Sequence, residues 1–203
     1  DFFYMNRRAE REKAVGITLV CVTTGATAGC GLPAKSKGVF VVEFLAAAIA
    51  EWGDLDLVLR TDNESSIVAI ARAVKEHRKP HQTLLETIPK HSHASLGHAE
   101  ECNRALEEGT RCIVANLENH GKVVVSTDVL FAWMIRHAAW LRHRFAVHAT
   151  GRTSYRELKG RDYSGPIVEF GEVVWARDSS PATARAKAEP RWLKRVWLGK
   201  TES

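Results

Sequence analysis

Three acidic residues that lie far apart in the sequence have the types and surroundings expected of metal ligands. Asp62 follows the run 57–60, which predicts a short buried strand, so its carboxylate would lie where that strand meets a loop. Asp1 opens another apolar run, and Glu100 stands at the start of a long segment with helical periodicity. Carboxylates without neighbouring cysteines suit Mg²⁺ or Mn²⁺. Two such ions could activate a water or hydroxyl and stabilise the leaving oxygen of an in-line displacement at phosphorus.

Each of these acids also has an ordinary structural explanation. A strand-end aspartate such as Asp62 is common in turns. Glu100 and Glu101, in the first turn of a predicted helix, satisfy the preference of helix N-termini for negative charge. A residue at the head of a chain, such as Asp1, is usually frayed. The residue types therefore leave both interpretations open.

Strands and helices alternate along the part of the chain that carries these acids. The predicted strands are 1–5, 17–23, 30–34, 57–60 and 83–88, and the predicted helices are 38–52, 65–76, 98–118 and 128–145, with a single helical turn at 153–158. The candidate N-caps are Ser36, Ser65 or Ser66, and Ser126 or Thr127. This order predicts an α/β fold with a mixed five-stranded sheet flanked by helices. If strand four pairs beside strand one, Asp1 and Asp62 become neighbours, and the long helix could bring Glu100 to the same edge.

The composition changes after residue 162. Strand-like runs at 166–175 and 191–198 flank a segment rich in Ser, Pro and Ala. We expect a core at 1–162 and a small, incomplete SH3-like β unit at 163–203. Because the chain starts with Asp and stops without a closing element, we also expect it to be a piece of a longer polypeptide.

Charge is unevenly distributed along the 203 residues. The net charge is +5, made up of −2 over residues 1–135 and +7 over residues 136–203. A basic C-terminal third suits a polyanionic partner, although it is equally typical of a solvated basic tail.

The cysteines and the apolar runs limit the class of protein. The four cysteines form no CxxC pair, which argues against a zinc ribbon and indicates small buried side chains in a reducing, intracellular compartment. No apolar run has the length of a membrane span, so we expect no membrane partner.

Several polar and basic residues are candidates for contact with nucleic acid. They are Asn63, Lys90, His91, His93, Asn103, Arg104, Arg191, Lys194 and Arg195. The histidines and Lys90 lie in a polar segment that is equally typical of an exposed loop. Trp192 and Trp197 could stack on DNA, but core positions in a small barrel are the favoured interpretation.

Five segments resemble a known family. They are Leu59-Arg60-Thr61-Asp62-Asn63, the run 95–104 (SLGHAEECNR), the run 155–161 (YRELKGR), Phe170-Gly171, and Trp197-Leu198-Gly199-Lys200. The first two resemble the strand-then-Asp-Asn segment and the glutamate-bearing helix start of retroelement integrases of the copia type. The others resemble segments that follow the catalytic core in copia polyproteins.

The resemblance implies a ribonuclease-H-like fold with an Asp, Asp, Glu metal site holding two Mg²⁺ or Mn²⁺ ions. Asp1 would bridge the metals, Asp62 would hold the first and Glu100 the second. The implied reactions are hydrolysis at the DNA ends of the element and transfer of the 3′-hydroxyl onto target DNA. The implied partners are those two DNAs and further copies of the chain. The implied location is the nucleus, with a cytoplasmic particle stage.

The sequence departs from the family pattern at Glu64, where glycine is usual, at Glu101, where a basic residue is usual, and at Leu96, where asparagine is usual. The histidine/cysteine zinc module expected upstream is absent, as a fragment would explain. Two other functions are therefore open: a non-catalytic nucleic-acid-binding domain of a decayed element, and a ribonuclease or other nuclease on the same fold.

Overall fold

Twelve helices and strands order the part of the chain that the structure describes. This computed structural model describes residues 1–6, 12–53, 55–88, 93–177 and 190–200. The strands are β1 (Phe2–Met5), β2 (Ala14–Val20), β3 (Thr27–Leu32), β4 (Leu57–Thr61), β5 (Thr83–Thr87), β6 (Val173–Arg177) and β7 (Trp192–Val196). The helices are α1 (Val39–Trp52), α2 (Ser65–His77), α3 (His93–Asn119), α4 (Val129–Phe145) and α5 (Ser154–Lys159).

The strands are divided among three small sheets. β1, β2 and β3 form an antiparallel sheet, β4 pairs with β5 in parallel, and β6 pairs with β7 in antiparallel orientation. The predicted mixed α/β architecture is confirmed. The five-stranded sheet and the SH3-like unit are not, because no ladder joins β1 to β4 within the described residues and β6–β7 is only two-stranded. The pattern of apolar residues identifies a strand, but the strand with which it pairs depends on contacts between distant parts of the chain.

Two apolar clusters hold the core together. The first packs α1 and α2 against one face of the three-stranded sheet, with Ile17, Ile49 and Ile70 almost wholly buried. The second packs α3 and α4 against Phe3, with Leu106 and Met134 fully buried. Burying side chains of this size stabilises the fold by about 1.5–3 kcal/mol each. β1 lies between the clusters because Phe2 contacts the first and Phe3 the second.

Helix starts differ from the sequence-based predictions. Gly38, not Ser36, precedes α1, and Glu64 precedes α2, so that Ser65 and Ser66 are inside that helix. Asp128 caps α4, its carboxylate accepting a hydrogen bond from the backbone N–H of Leu130 at 2.9 Å, so neither Ser126 nor Thr127 is the cap. An aspartate side chain can accept a hydrogen bond from the unpaired N–H groups at a helix N-terminus as well as a serine can. The local sequence therefore does not show which of several adjacent residues is the N-cap.

The start of α3 changes how Glu100 is interpreted. The helix begins at His93, five residues before the predicted start, and its first turn contains no acidic residue. Glu100 therefore lies about two turns inside α3. Because the effect of the helix dipole is confined to the first turn, capping preference no longer accounts for a glutamate at this position.

The segment after α5 contacts the rest of the chain. Phe170 is buried against the ring of His137 on α4, and Leu198 packs on the second cluster. The Lys200 ammonium donates a hydrogen bond to the Tyr163 hydroxyl at 2.6 Å. Within the described residues, no helix is long and apolar enough to span a membrane.

A glycine allows the sheet to approach α4 closely, which leads to a first prediction. A Cβ atom added to Gly31 would lie 2.6 Å from the Cα atom of Ala132 on α4, a backbone atom that cannot move aside. We expect Gly31→Ala to lower the free energy of unfolding by about 1–3 kcal/mol. The measurement is the urea midpoint at constant m-value.

Gly97→Ala is the control for that prediction. Nothing lies within 4 Å of a Cβ atom added at Gly97, inside α3. The substitution should therefore be neutral or stabilising by up to about 1 kcal/mol. An equal loss of stability in both variants would show that close packing of the sheet on α4 is not the cause.

Candidate active site

Asp1 is tied to both the sheet and α3. Its backbone extends the ladder of β1, because its amino group donates to the Thr18 carbonyl at 2.8 Å and its carbonyl accepts from the Thr18 N–H at 2.8 Å. Its carboxylate Oδ2 accepts a hydrogen bond from the Asn103 amide at 3.0 Å, and Oδ1 accepts from the Phe2 N–H at 2.7 Å. The Thr18 hydroxyl donates to the Asn103 carbonyl oxygen. Asp1 is therefore held in place rather than frayed.

Asp62 lies directly after β4, as predicted. Its Oδ1 accepts a hydrogen bond from the Glu64 N–H at 3.1 Å, which closes a short turn into α2. A cavity of about 30 Å³ is lined by both Asp1 and Thr61, the residue before Asp62. Burial lowers the pKa of the Asp1 amino group to about 6, and the negative charge of Asp62 partly offsets that effect. The Asp1 amino group therefore lies within electrostatic range of Asp62, although no ladder joins β1 to β4 within the described residues.

Glu100 lies on the same face of α3 as Asn103, one turn before it. Its side chain is exposed, whereas Asn103 is buried. The hydrogen bond from Asn103 to Asp1 therefore brings this face of α3 to the Asp1 carboxylate.

Glu101, the next residue on α3, contacts α4 and helps to set the rotation of α3 about its axis. Its carboxylate accepts a hydrogen bond from the Arg142 guanidinium on α4 at 2.7 Å. On the same turn the buried Cys102 thiol lies 3.7 Å from the Thr27 hydroxyl of β3. Glu101 is thus directed to α4 and not to Asp1, which separates the roles of the two adjacent glutamates.

An open groove borders this group of residues. It has a volume of about 550 Å³ and is lined by Asp1, by β2 and the turn after it, by 56–60, and by His98 and Ala99 on α3. Asp1 therefore borders this groove.

The three predicted ligands do not form a tight group. In the described parts of the chain, no three His, Cys, Asp or Glu side chains are close enough to hold a metal ion. The residue types nevertheless fit Mg²⁺, because an Asp oxygen that accepts one hydrogen bond keeps a lone pair for a hard cation. The ligand set Asp1, Asp62 and Glu100 stays a prediction.

The predicted nucleic-acid contacts lie in different settings. Lys90 and His91 lie outside the described residues, and His93 is described only as the first residue of α3. Asn103 is buried and donates a hydrogen bond to Asp1, and its predicted contact with nucleic acid stays a prediction. The exposed candidates are Asn63, Arg104, Arg191, Lys194 and Arg195. Trp192 is 56% exposed, contrary to the expected core position, and Trp197 is half-buried.

Three residues that sequence reasoning missed support the site. Thr18 orients Asn103, Arg142 holds Glu101, and Lys35 forms an ion pair with Glu64 at 2.6 Å. No motif marks any of them. Glu64 departs from the family pattern, and its negative charge close to Asp62 is the signal in the sequence that points to a nearby cation.

Comparison with solved structures agrees with this architecture. The chain is similar to the HTLV-2 integrase catalytic core domain, solved in complex with magnesium in a trimeric form, with a TM-score of 0.55 and 15% identity over 78% of this chain and 92% of that one. The dimeric form of the same domain gives a TM-score of 0.52 at 14% identity, over 76% of this chain and 90% of that one.

The chain has the fold of a retroviral integrase catalytic core. A chain of the simian T-cell lymphotropic virus intasome, solved in complex with the PP2A regulatory subunit B56γ, matches with a TM-score of 0.58 and 14% identity. That match covers 96% of this chain, which spans 64% of the intasome chain. No protein-family model and no curated protein matches the sequence. The integrase fold therefore rests on three-dimensional similarity, and the copia type has no support from these comparisons.

Proposed function

We propose that this chain is the polynucleotidyl transferase core of a retrotransposon integrase of the copia type. It would hydrolyse the ends of the element's DNA and transfer the new 3′-hydroxyl onto target DNA. The observation that carries the proposal is the hydrogen bond from Asn103 to Asp1 within an integrase fold. This bond joins α3, one turn from Glu100, to the carboxylate of Asp1, and the Asp1 amino group interacts electrostatically with Asp62.

Asp1, Asp62 and Glu100 would hold two Mg²⁺ ions in this proposal. When bound, such ions supply charge stabilisation at the reacting phosphate and activation of a water or hydroxyl. A similar core, that of HTLV-2 integrase, was solved in complex with magnesium.

The protein's own residues set the positions of those carboxylates. Asn103 orients Asp1, the Glu64 N–H orients Asp62, and the pairing of Glu101 with Arg142 sets the rotation of α3. Preorganised ligands of this kind lower the cost of assembling a charged site.

DNA is the partner that fits the charge distribution, since the last 68 residues carry +7. The DNA ends of the element and the target DNA would both be substrates, and the active complex would contain several copies of the chain. A transferase that inserts DNA would act in the nucleus, after a stage in a cytoplasmic particle.

The direct test is a strand-transfer assay with labelled duplex ends of the source element, a plasmid target and Mg²⁺ or Mn²⁺. We expect joined products that require the divalent cation. An RNA–DNA hybrid degraded faster than DNA ends are joined would identify a nuclease instead. Absence of cleavage and joining at every metal concentration would contradict the proposal.

A second candidate, a non-catalytic DNA-binding remnant, is favoured by the lack of a tight three-carboxylate group among the described residues. It predicts DNA binding that weakens with salt, without cleavage under any condition. The assay above separates the two functions.

The exposed face of the β6–β7 pair supports DNA binding under both candidate functions, the transferase and the non-catalytic remnant. Trp175 is 62% exposed and Trp192 56% exposed on this face. The Lys194 ammonium lies 5.6 Å from the centre of the Trp175 ring. Aromatic rings beside basic side chains are typical of surfaces that contact nucleic-acid bases and phosphates.

Lys194→Ala tests this surface. We expect the slope of log affinity against log salt concentration to fall by about one, because one phosphate contact is lost. The measurement is fluorescence anisotropy with a labelled duplex between low and moderate salt. Lys122→Ala, at an exposed position between α3 and α4, is the control and should leave the slope unchanged. Equal slopes for wild type and Lys194→Ala would show that this face does not bind DNA.

A further inference from the structure

Within the part of the chain that the structure describes, no backbone hydrogen bonds join β1, which follows Asp1, to β4, which precedes Asp62. β1 pairs with β2, and β4 pairs with β5 only, so no ladder between β1 and β4 sets the spacing of the two aspartates within the described residues. Another contact must hold the loop after β4 against β1, since the two carboxylates would have to share a metal ion.

Lys35 lies where such a contact is needed. It follows β3 in the connection to α1, and its ammonium is 5.0 Å from the centre of the Phe2 ring and 4.8 Å from that of Tyr4. Both rings belong to β1, directly after Asp1. At these distances a cation is attracted to the ring face, which keeps Lys35 against β1.

The same ammonium holds the loop that contains Asp62. It donates to Glu64 Oε2 at 2.6 Å, while the other Glu64 oxygen accepts a hydrogen bond from the Ser66 hydroxyl. The Glu64 backbone N–H in turn donates to Asp62 Oδ1 at 3.1 Å. A chain of contacts therefore runs from β1 through Lys35 and Glu64 to the Asp62 carboxylate.

We propose that the Lys35–Glu64 ion pair positions Asp62 relative to Asp1 and so sets the spacing of the first two metal ligands. The inference rests on the proposed function only where it refers to metal binding. The position of Asp62 relative to Asp1 is a property of the protein that can be measured without metal. Glu64 thereby gains a role at a position where the family pattern has glycine, and Lys35 supplies the cation that makes glutamate acceptable beside an acidic site. Both are positioning residues and neither is a proposed ligand.

The partial exposure of the Lys35–Glu64 pair indicates that its main role is to position Asp62 and not to stabilise the fold. The side chains of Lys35 and Glu64 are 27% and 35% exposed, so the pair contributes little to global stability. Breaking it should instead change the geometry of the Asp62 loop. Loss of an outer contact that orients a ligand typically weakens metal binding by about 10–100-fold.

The experiment uses the full chain as wild type and in four variants, of which three change the pair: Glu64→Gln, Lys35→Met and Lys35→Arg. Methionine keeps an apolar stem over Phe2 and Tyr4 without the charge, and arginine keeps the charge. The control is Glu76→Gln, which breaks an exposed pair with Lys79 of the same 2.6 Å length at the far end of α2. The readouts are Mn²⁺ affinity by titration calorimetry, the urea midpoint, and crystal structures of wild type and Glu64→Gln.

We expect Glu64→Gln and Lys35→Met to weaken Mn²⁺ binding by about tenfold or more and to increase the separation of the Asp1 and Asp62 carboxylates. Lys35→Arg should retain the affinity, Glu76→Gln should match wild type, and all urea midpoints should stay close together. Unchanged carboxylate separation in Glu64→Gln would overturn the positioning role, whatever the metal data. If wild type itself binds no Mn²⁺, the proposed function fails, and the crystal structures still decide whether Lys35 and Glu64 hold the loop.

Discussion

Asp62→Asn and Glu100→Gln are each expected to abolish Mg²⁺-dependent strand transfer while leaving the fold and DNA binding intact. Each change removes one negative charge and one strong oxygen ligand but keeps the shape of the side chain. The loss of several kcal/mol of charge stabilisation at the reacting phosphate corresponds to a fall in rate of about a thousandfold or more. The measurement is the initial rate of joining at saturating DNA, with circular dichroism to show that the fold is retained.

Glu101→Gln provides the matched control for the glutamate. Glu101 is the next residue on α3, but its carboxylate is paired with Arg142 at 2.7 Å. We expect this variant to keep most of the activity, because the glutamine carbonyl can still accept the hydrogen bond from Arg142 and hold α3. The change in stability should be modest, because the Glu101 side chain is 57% exposed. Full activity in Glu100→Gln together with loss of activity in Glu101→Gln would show that the wrong glutamate had been assigned. Full activity in Asp62→Asn would remove the basis for the proposed reaction.

The second large effect is expected in the dependence of stability on pH, through His143. This residue on α4 is 3% exposed and packs on the rings of Trp52 and Tyr155. Neither ring nitrogen has a hydrogen-bond partner within the described residues. Burial, with smaller contributions from the positive charges of Arg144, Lys159 and His148, lowers the pKa of His143 from 6.5 to about 4.

The sign of the effect follows from which state binds more protons. Between pH 4 and 6.5 the unfolded chain holds a proton on His143 that the folded chain does not, so lowering the pH through this window favours unfolding. At pH 5 the loss relative to pH 8 is about 2 kcal/mol, and it approaches about 3 kcal/mol at pH 4. His143→Phe should remove this loss, because phenylalanine fills the same space between the two rings and does not titrate.

Urea unfolding at pH 8 and pH 5 measures the effect. We expect wild type and His143→Phe to differ more at pH 5 than at pH 8, with the variant the more stable at pH 5. His77→Gln, at an exposed position on α2, is the control and should follow wild type at both pH values. The same difference between wild type and His143→Phe at the two pH values would contradict a role for the buried histidine.

The amino-acid sequence by itself determined the elements and the residue types of the site. Apolar runs located β2, β4 and β5 to within a few residues, and helical periodicity located α1, α2 and α4 similarly. The location of Asp62 directly after β4 was also predictable, because a buried strand has to end where the chain becomes polar. The expectation of an integrase-like core came from the resemblance of segments such as 59–63 and 95–104 to that family.

The tertiary structure alone decided which partners these elements take. The pairing of β4 with β5, the early start of α3 and the ion pair of Glu101 with Arg142 depend on contacts between residues distant in the chain. The same holds for the hydrogen bond that spans 102 residues from Asn103 to Asp1, and for the contact of Lys35 with both β1 and Glu64. The local sequence pattern indicates which face of a helix or strand is apolar. Which other helix or strand that face packs against depends on the packing of the whole chain.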